Sequence, residues 1–139
     1  MAAYNKFNSF VEDEAEKVHN LGADTLRIML TNGAPVASNT VKANLTEIGA
    51  GFGYTAGGTA VTISSSSQAA GTYSLVGADV TFTAAGGSIG PFRYAVFYND
   101  TPTSPADPLI GWWDYGSALT LTDTESFTVD FGATILTKA

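Results

Sequence analysis

Near the start of the chain, apolar residues recur at steps of three and four. Tyr4, Phe7, Val11, Ala15 and Val18 line one helical face, with Phe10 beside them, and Glu12, Asp13, Glu16 and Lys17 cover the other. The pattern predicts an amphipathic helix over Tyr4–Leu21, stopped by Asn20-Leu21-Gly22 with Gly22 as a left-handed C-cap. Ser9, with Glu12 three residues on, matches a capping box and offers a second possible start. A helix of this length is marginal alone and needs a surface for its aromatic face, either the sheet or a neighbouring subunit.

After Gly22 the period changes to two. Leu26, Ile28 and Leu30 face one way, and Thr25, Arg27 and Met29 the other. Thr31–Thr40 reads as a loop, and Val41–Ile48 as a short helix or irregular turn. Gly49–Gly58 is glycine-rich and reads as a mobile or tightly turned loop anchored by Phe52 and Tyr54. Strands are predicted at Thr59–Ile63, Tyr73–Val76, Asp79–Thr83, Pro91–Tyr98, Leu109–Tyr115, Ala118–Leu121 and Ser126–Phe131, with Ser64–Ser67 as a low-complexity run. About eight strands with short turns predict a mainly β chain, an antiparallel β-sandwich or jelly roll with one N-terminal amphipathic helix. The expected division is 1–22 as helix or arm and 23–139 as a single sandwich domain.

Alternation in the C-terminal strands assigns Phe92, Tyr94, Val96 and Tyr98 to one face and Arg93, Ala95, Phe97 and Asn99 to the other. Likewise Leu109, Gly111, Trp113 and Tyr115 oppose Ile110, Trp112 and Asp114. Both faces carry bulk, so both are expected to be covered, one by the helix and part of the other by a partner protein.

Composition narrows the function. Charged residues make up 14% of the chain, well below the usual quarter or so, which suits a surface partly covered by neighbours. The net charge is −7 and the six basic residues are scattered, which argues against nucleic acid and against an anionic membrane surface. No cysteine is present, so disulfides, thiol catalysis and Cys-ligated zinc are excluded. No apolar run reaches the length of a membrane span, and the acidic N-terminal stretch does not read as a signal peptide. The sequons at Asn44 and Asn99 are read as chance.

Candidate chemistry is sparse. His19 is the sole histidine and reads as a residue of the last helical turn, with no nucleophile placed to form a relay. Asp100, Asp107 and Asp114 lack calcium-loop spacing and read as turn and strand-end residues. The glycine-rich loop lacks the Lys-Ser/Thr pair of a phosphate-binding loop. Arg93 is expected to pair with Asp114 on a neighbouring strand. A carbohydrate-binding sandwich would use Trp112 or Trp113 with Tyr54 as stacking surfaces. A hydrolase would need a carboxylate pair, for which Asp114 and Asp130 are the only candidates. No enzyme activity, cofactor or metal is expected.

The chain resembles small virion structural proteins of tailed bacteriophages. The resemblance is carried by Val18-His19-Asn20-Leu21-Gly22 followed by Asp24–Asn32, by Gly53-Tyr54-Thr55-Ala56-Gly57-Gly58, by Arg93–Thr101, by Pro108–Gly116 and by Phe127-Thr128-Val129-Asp130-Phe131. It implies a non-enzymatic particle protein, most simply a capsid decoration (cement) protein. Such a protein is made in the host cytoplasm and sits on the outer capsid surface at capsomer junctions. Its partners would be the major capsid protein and further copies of itself, commonly as a homotrimer. A tail tube, tip or fibre-associated component is the alternative. The interface residues expected on this reading are Tyr4, Phe7, Phe10, Phe52, Tyr54, Arg93 and Trp112, because aromatic and arginine anchors dominate interface energy.

Overall fold

A computed structural model describes residues 3–139. Residues 1 and 2 of the expected 1–22 arm lie outside the described part. In chain order the elements are β1 (Tyr4–Lys6), α1 (Ser9–Ala15), β2 (Leu26–Thr31), β3 (Thr59–Ala60), β4 (Ile63–Ala69), β5 (Thr72–Gly77), β6 (Val80–Thr83), β7 (Ile89–Asn99), β8 (Leu109–Leu121), β9 (Ser126–Val129) and β10 (Leu136–Lys138), with one 3₁₀ turn at Lys42–Asn44. Strands hold 48% of the chain and helix 7%, so the class is mainly β, and every strand pair is antiparallel. A five-stranded sheet has the order β1-β8-β7-β2-β3; a three-stranded sheet β10-β5-β4 and a ribbon β6-β9 complete a sandwich-like body.

The main sheet is apolar on both faces, as its central strands predict. One face belongs to the larger core, where Leu26, Ile28, Leu30, Ala95, Phe97, Ile110 and Trp113 meet Leu75, Phe82, Val129 and Leu136 from the smaller sheets. The other holds a smaller cluster of Phe7, Met29, Val96, Tyr98 and Leu109, flanked by Leu45 and Trp112. Its covering comes from Phe7 and the segment around Leu45, while the helix contributes Phe10 to the larger core on the opposite face.

The helix expected over Tyr4–Leu21 is confined to Ser9–Ala15, the second start. Tyr4–Lys6 is instead an edge strand, with Asn5 opposite Trp112, so the N-terminal segment is stitched into the sheet rather than standing apart as an arm. Ser9 makes no capping hydrogen bond, and its hydroxyl is buried without a partner. The stop also falls earlier than Gly22. Lys17 takes the left-handed conformation at φ 66°, and Val18 N–H donates to Asp13 C=O while Lys17 N–H donates to Glu14 C=O. That is the Schellman arrangement, built here on a lysine rather than a glycine.

Irregular pairing between β7 and β8 reassigns the faces. Phe97 opposes Gly111 and Tyr98 opposes Leu109, which leaves Ile110 as an extra residue. Leu109 therefore joins the smaller cluster while Ile110 and Trp113 join the larger one, and the expected grouping of Leu109 with Trp113 fails. Further along, Phe92 opposes Leu119 and Tyr94 opposes Asp114, so Arg93 alone faces the four residues Tyr115 to Ala118. This wide bulge turns on Gly116 at φ 103°, and it places Phe92 with Ala95 and Phe97 instead of with Val96 and Tyr98. The two strands expected at Leu109–Tyr115 and Ala118–Leu121 are one long strand broken by this bulge.

Candidate functional site

The expected interface residues separate by burial. Phe7, Phe10 and Tyr54 are buried in the chain's own core, so they reach any partner only through the fold. Tyr4 and Trp112 are half-buried: Tyr4 packs on Trp113 at 5.5 Å between centroids, and Trp112 on Phe7 at 4.6 Å. Arg93 is half-buried, and Phe52 is 57% exposed. The stacking surface proposed from Trp112, Trp113 and Tyr54 is not formed, because Trp113 and Tyr54 are core residues and Trp112 lies against Phe7.

The glycine-rich loop is tightly turned. Gly51 and Tyr54 exchange backbone hydrogen bonds across Phe52 and Gly53, both at positive φ, which sets Phe52 at the tip of a two-residue turn. The loop is tied down by Glu47, whose Oε2 accepts from the Tyr54 hydroxyl and from Gly57 N–H, while the Tyr98 hydroxyl donates to Gly57 C=O. Burial and the Glu47 carboxylate push the Tyr54 hydroxyl pKa far up, so it acts as a fixed donor. A Cβ on Gly58 would lie 1.8 Å from Ile28 O, so only glycine lets the loop lie this close to β2.

His19 lies under the helix, its side chain fully buried. Its Nδ1 meets Asn99 Nδ2 at 3.0 Å, and Asn99 Nδ2 also donates to Asp24 Oδ2 at 2.7 Å. Nδ1 is thus the acceptor, which puts the proton on Nε2; that atom is buried without a hydrogen-bond partner, 3.9 Å from Asp13. Burial lowers the His19 pKa to about 4, only partly opposed by the Asp24 charge. Asn99 itself is fully buried, consistent with a chance sequon.

The bulge in β8 opens a cleft of about 380 Å³ lined by Arg93, Trp113, Asp114, Tyr115, Phe127 and Asp130, among others. Arg93 Nε and Nη2 donate to Asp114 Oδ1 and Oδ2 at 2.8 and 3.1 Å, the intramolecular pair expected from the sequence. The guanidinium also lies over the Tyr94 ring at 5.4 Å, and Gly116 N–H donates to Asp114 Oδ1 at 2.8 Å. Arg93 first, and then the Gly116 amide, hold the Asp114 carboxyl below the usual carboxylate range. Both hydrolase candidates, Asp114 and Asp130, therefore reach one cleft. However, Asp114 is tuned the opposite way from a proton-donating acid.

A second surface feature is β4, the outer strand of the three-stranded sheet. Ser64–Ala69 is exposed throughout and carries neither charge nor proline. It turns back into β5 through Ala70 and Gly71, both at positive φ. Sequence reasoning read the serine run only as low complexity; the alternation signal is absent because neither face of this strand is buried.

Among the described residues, no cluster of three or more His, Asp or Glu side chains could hold a metal ion. No helix of the described residues is long and apolar enough to cross a membrane. No family model, curated protein or solved structure matches the chain.

Proposed function

We propose that this chain is a non-enzymatic structural protein of a tailed-phage particle, a capsid decoration protein that binds the outer shell at capsomer junctions and stabilises the head. The resemblance in the strand and turn motifs sets the class, and the β4 edge is the observation that carries the reading. Edge strands of proteins that stand alone are guarded by charge, proline or bulges, because open N–H and C=O groups invite another strand. Here the one pairing irregularity sits at the start of the strand, between Ile63 and Ser65, and the regular part, Ser65–Ala69, presents roughly 17 Å of edge with neither charge nor proline, on a chain of net charge −7. An edge left open in this way fits a chain that is completed by a neighbour, the major capsid protein or another copy in a trimer. The exposed Phe52 at its turn tip adds an apolar anchor on the surface.

The test is addition of purified protein to expanded capsids that lack it, read by cryo-electron microscopy and by the temperature at which the particles break. The proposal expects stoichiometric density at capsomer junctions, a raised disruption temperature, and loss of both with Ser65→Lys/Ser67→Lys. Absence of density on the head, with labelling on the tail of intact virions, would replace it with the tail reading.

A further inference from the structure

We propose that the cleft opened by the β8 bulge is a binding site for one ring of a neutral sugar, with Tyr115 as its stacking platform and the Arg93–Asp114 pair as its polar recognition group. This site is independent of the capsid reading; of the two tryptophans to which a sugar reading of the sequence points, Trp113 lines it from the core and Trp112 does not.

The platform is built from the core outward. Phe127 meets Phe92 edge-on, at 5.0 Å and 70°, and Tyr115 meets Phe127 edge-on, at 5.4 Å and 78°. Phe92 is fully buried, Phe127 half-buried and Tyr115 53% exposed, so a row of edge-on aromatic contacts runs from the core to one open ring. The exposure has a cause: Tyr115 lies in the bulge, outside the paired positions of the ladder. Tyr115 thus keeps one edge-on contact, to Phe127, and leaves about half of its surface open to solvent.

The polar group is preorganised beside that ring. The guanidinium has five N–H donors, of which two are used by Asp114, and its plane is held against Tyr94. The carboxylate has about four acceptor positions; Oδ1 is filled by Arg93 and Gly116, and Oδ2 takes one bond. Free donors and a free acceptor thus stand side by side in fixed geometry, the arrangement that suits vicinal hydroxyls, each of which donates and accepts. Asp130 adds a further acceptor across the cleft, its Oδ1 already receiving Gly132 N–H at 2.8 Å.

Charge selects a neutral ligand. An anion would meet a guanidinium already neutralised by Asp114, with the Asp130 carboxylate opposite. A cation would meet the Arg93 charge beside the ring. A neutral ring loses nothing to either, and it can lay its C–H face on Tyr115. The volume of about 380 Å³ falls within the range of small-molecule sites, roughly 300–1,000 Å³.

The experiment is a ¹H–¹⁵N NMR titration of the full chain. The probes are the methyl β-glycosides of glucose, galactose and N-acetylglucosamine, with methyl glucuronide and acetyl-lysine amide as charged comparisons. Saturable shifts with at least one neutral glycoside, centred on Tyr115–Ala118 and Thr128–Asp130, are expected. Tyr115→Ala should weaken that binding about tenfold, and Tyr115→Phe should retain it. The Tyr115→Ala spectrum itself reports that the fold is kept. No saturable shift with any neutral glycoside, shifts elsewhere on the chain, a response to the charged probes alone, or unchanged affinity in a folded Tyr115→Ala would each overturn the assignment.

Discussion

Replacing Phe7 by alanine tests whether the N-terminal segment is an arm or part of the core. The sequence reading makes Phe7 an anchor for a neighbouring subunit, so its loss would weaken assembly and spare the fold. In the structure Phe7 is fully buried, packed with Met29, Val96, Tyr98 and Leu109 and lying 4.6 Å from the Trp112 ring. Truncating it removes about 150 Å² of buried apolar surface, worth about 4 kcal/mol at about 25 cal/mol per Å². Collapse around the gap is limited, because the backbone is pinned on both sides: Phe7 N–H donates to Ile110 C=O and Asn8 N–H to Ala37 C=O. The expected loss is therefore about 3–5 kcal/mol, a large part of the roughly 5–15 kcal/mol available to a domain of this kind. Urea titration followed by tryptophan fluorescence reads this directly, since Trp112 reports on the same cluster; the melting temperature should fall by roughly 10–15 °C. Phe7→Leu, which keeps most of the volume, should cost less than about 1.5 kcal/mol. If Phe7→Ala lost less than about 1 kcal/mol while capsid binding collapsed, the core assignment would be wrong and the arm restored.

Other changes test separate parts of the structure. Gly58→Ala should destabilise by at least about 3 kcal/mol in a thermal melt, since φ is +83° and the new methyl would meet Ile28 C=O; a neutral result would mean the loop is free to move. Lys17→Gly should stabilise by about 0.5–1 kcal/mol by relieving the left-handed lysine at the helix end, and unchanged urea midpoints would argue against that geometry. Because the folded His19 pKa, about 4, lies below the unfolded value of about 6.5, the unfolded chain binds the extra proton between them. His19 therefore contributes fully above about pH 6.5, and its share, at most about 3 kcal/mol, is lost as the pH falls toward 4. Urea midpoints across that range should flatten in His19→Gln, and parallel profiles for the two proteins would refute the contribution.

Local pattern carried much of the fold. The alternation in Leu26–Thr31 and the dense apolar run from Phe92 to Tyr98 mark strands buried on both faces, since no solvent-facing row could hold so few polar residues. The Arg93–Asp114 pair was legible because both charges sit in otherwise apolar strands where each needs a partner. The break at Gly116-Ser117 was visible too, but as a gap between strands rather than as a bulge within one. Pattern failed where two periods agree over a short stretch. Tyr4, Phe7 and Phe10 fit a helical face, yet pairing with β8 recruits Tyr4–Lys6 as a strand and sends Phe7 and Phe10 to different clusters.

What the sequence alone determined is which residues leave water, most of the aromatic and branched positions of the central strands, and that no charge lies along the exposed Ser64–Ala69. Only the tertiary structure decided which face each one occupies. A single extra residue at Ile110 and three at the Tyr115–Ala118 bulge invert the period-two assignment beyond them. The insertions become visible only against the partner strand, because register is a property of two strands and not of one. The candidate cleft exists for the same reason: Arg93, Tyr115 and Phe127 are brought together by the slip in β8 and by β9 packing alongside, long-range contacts that no local spacing encodes.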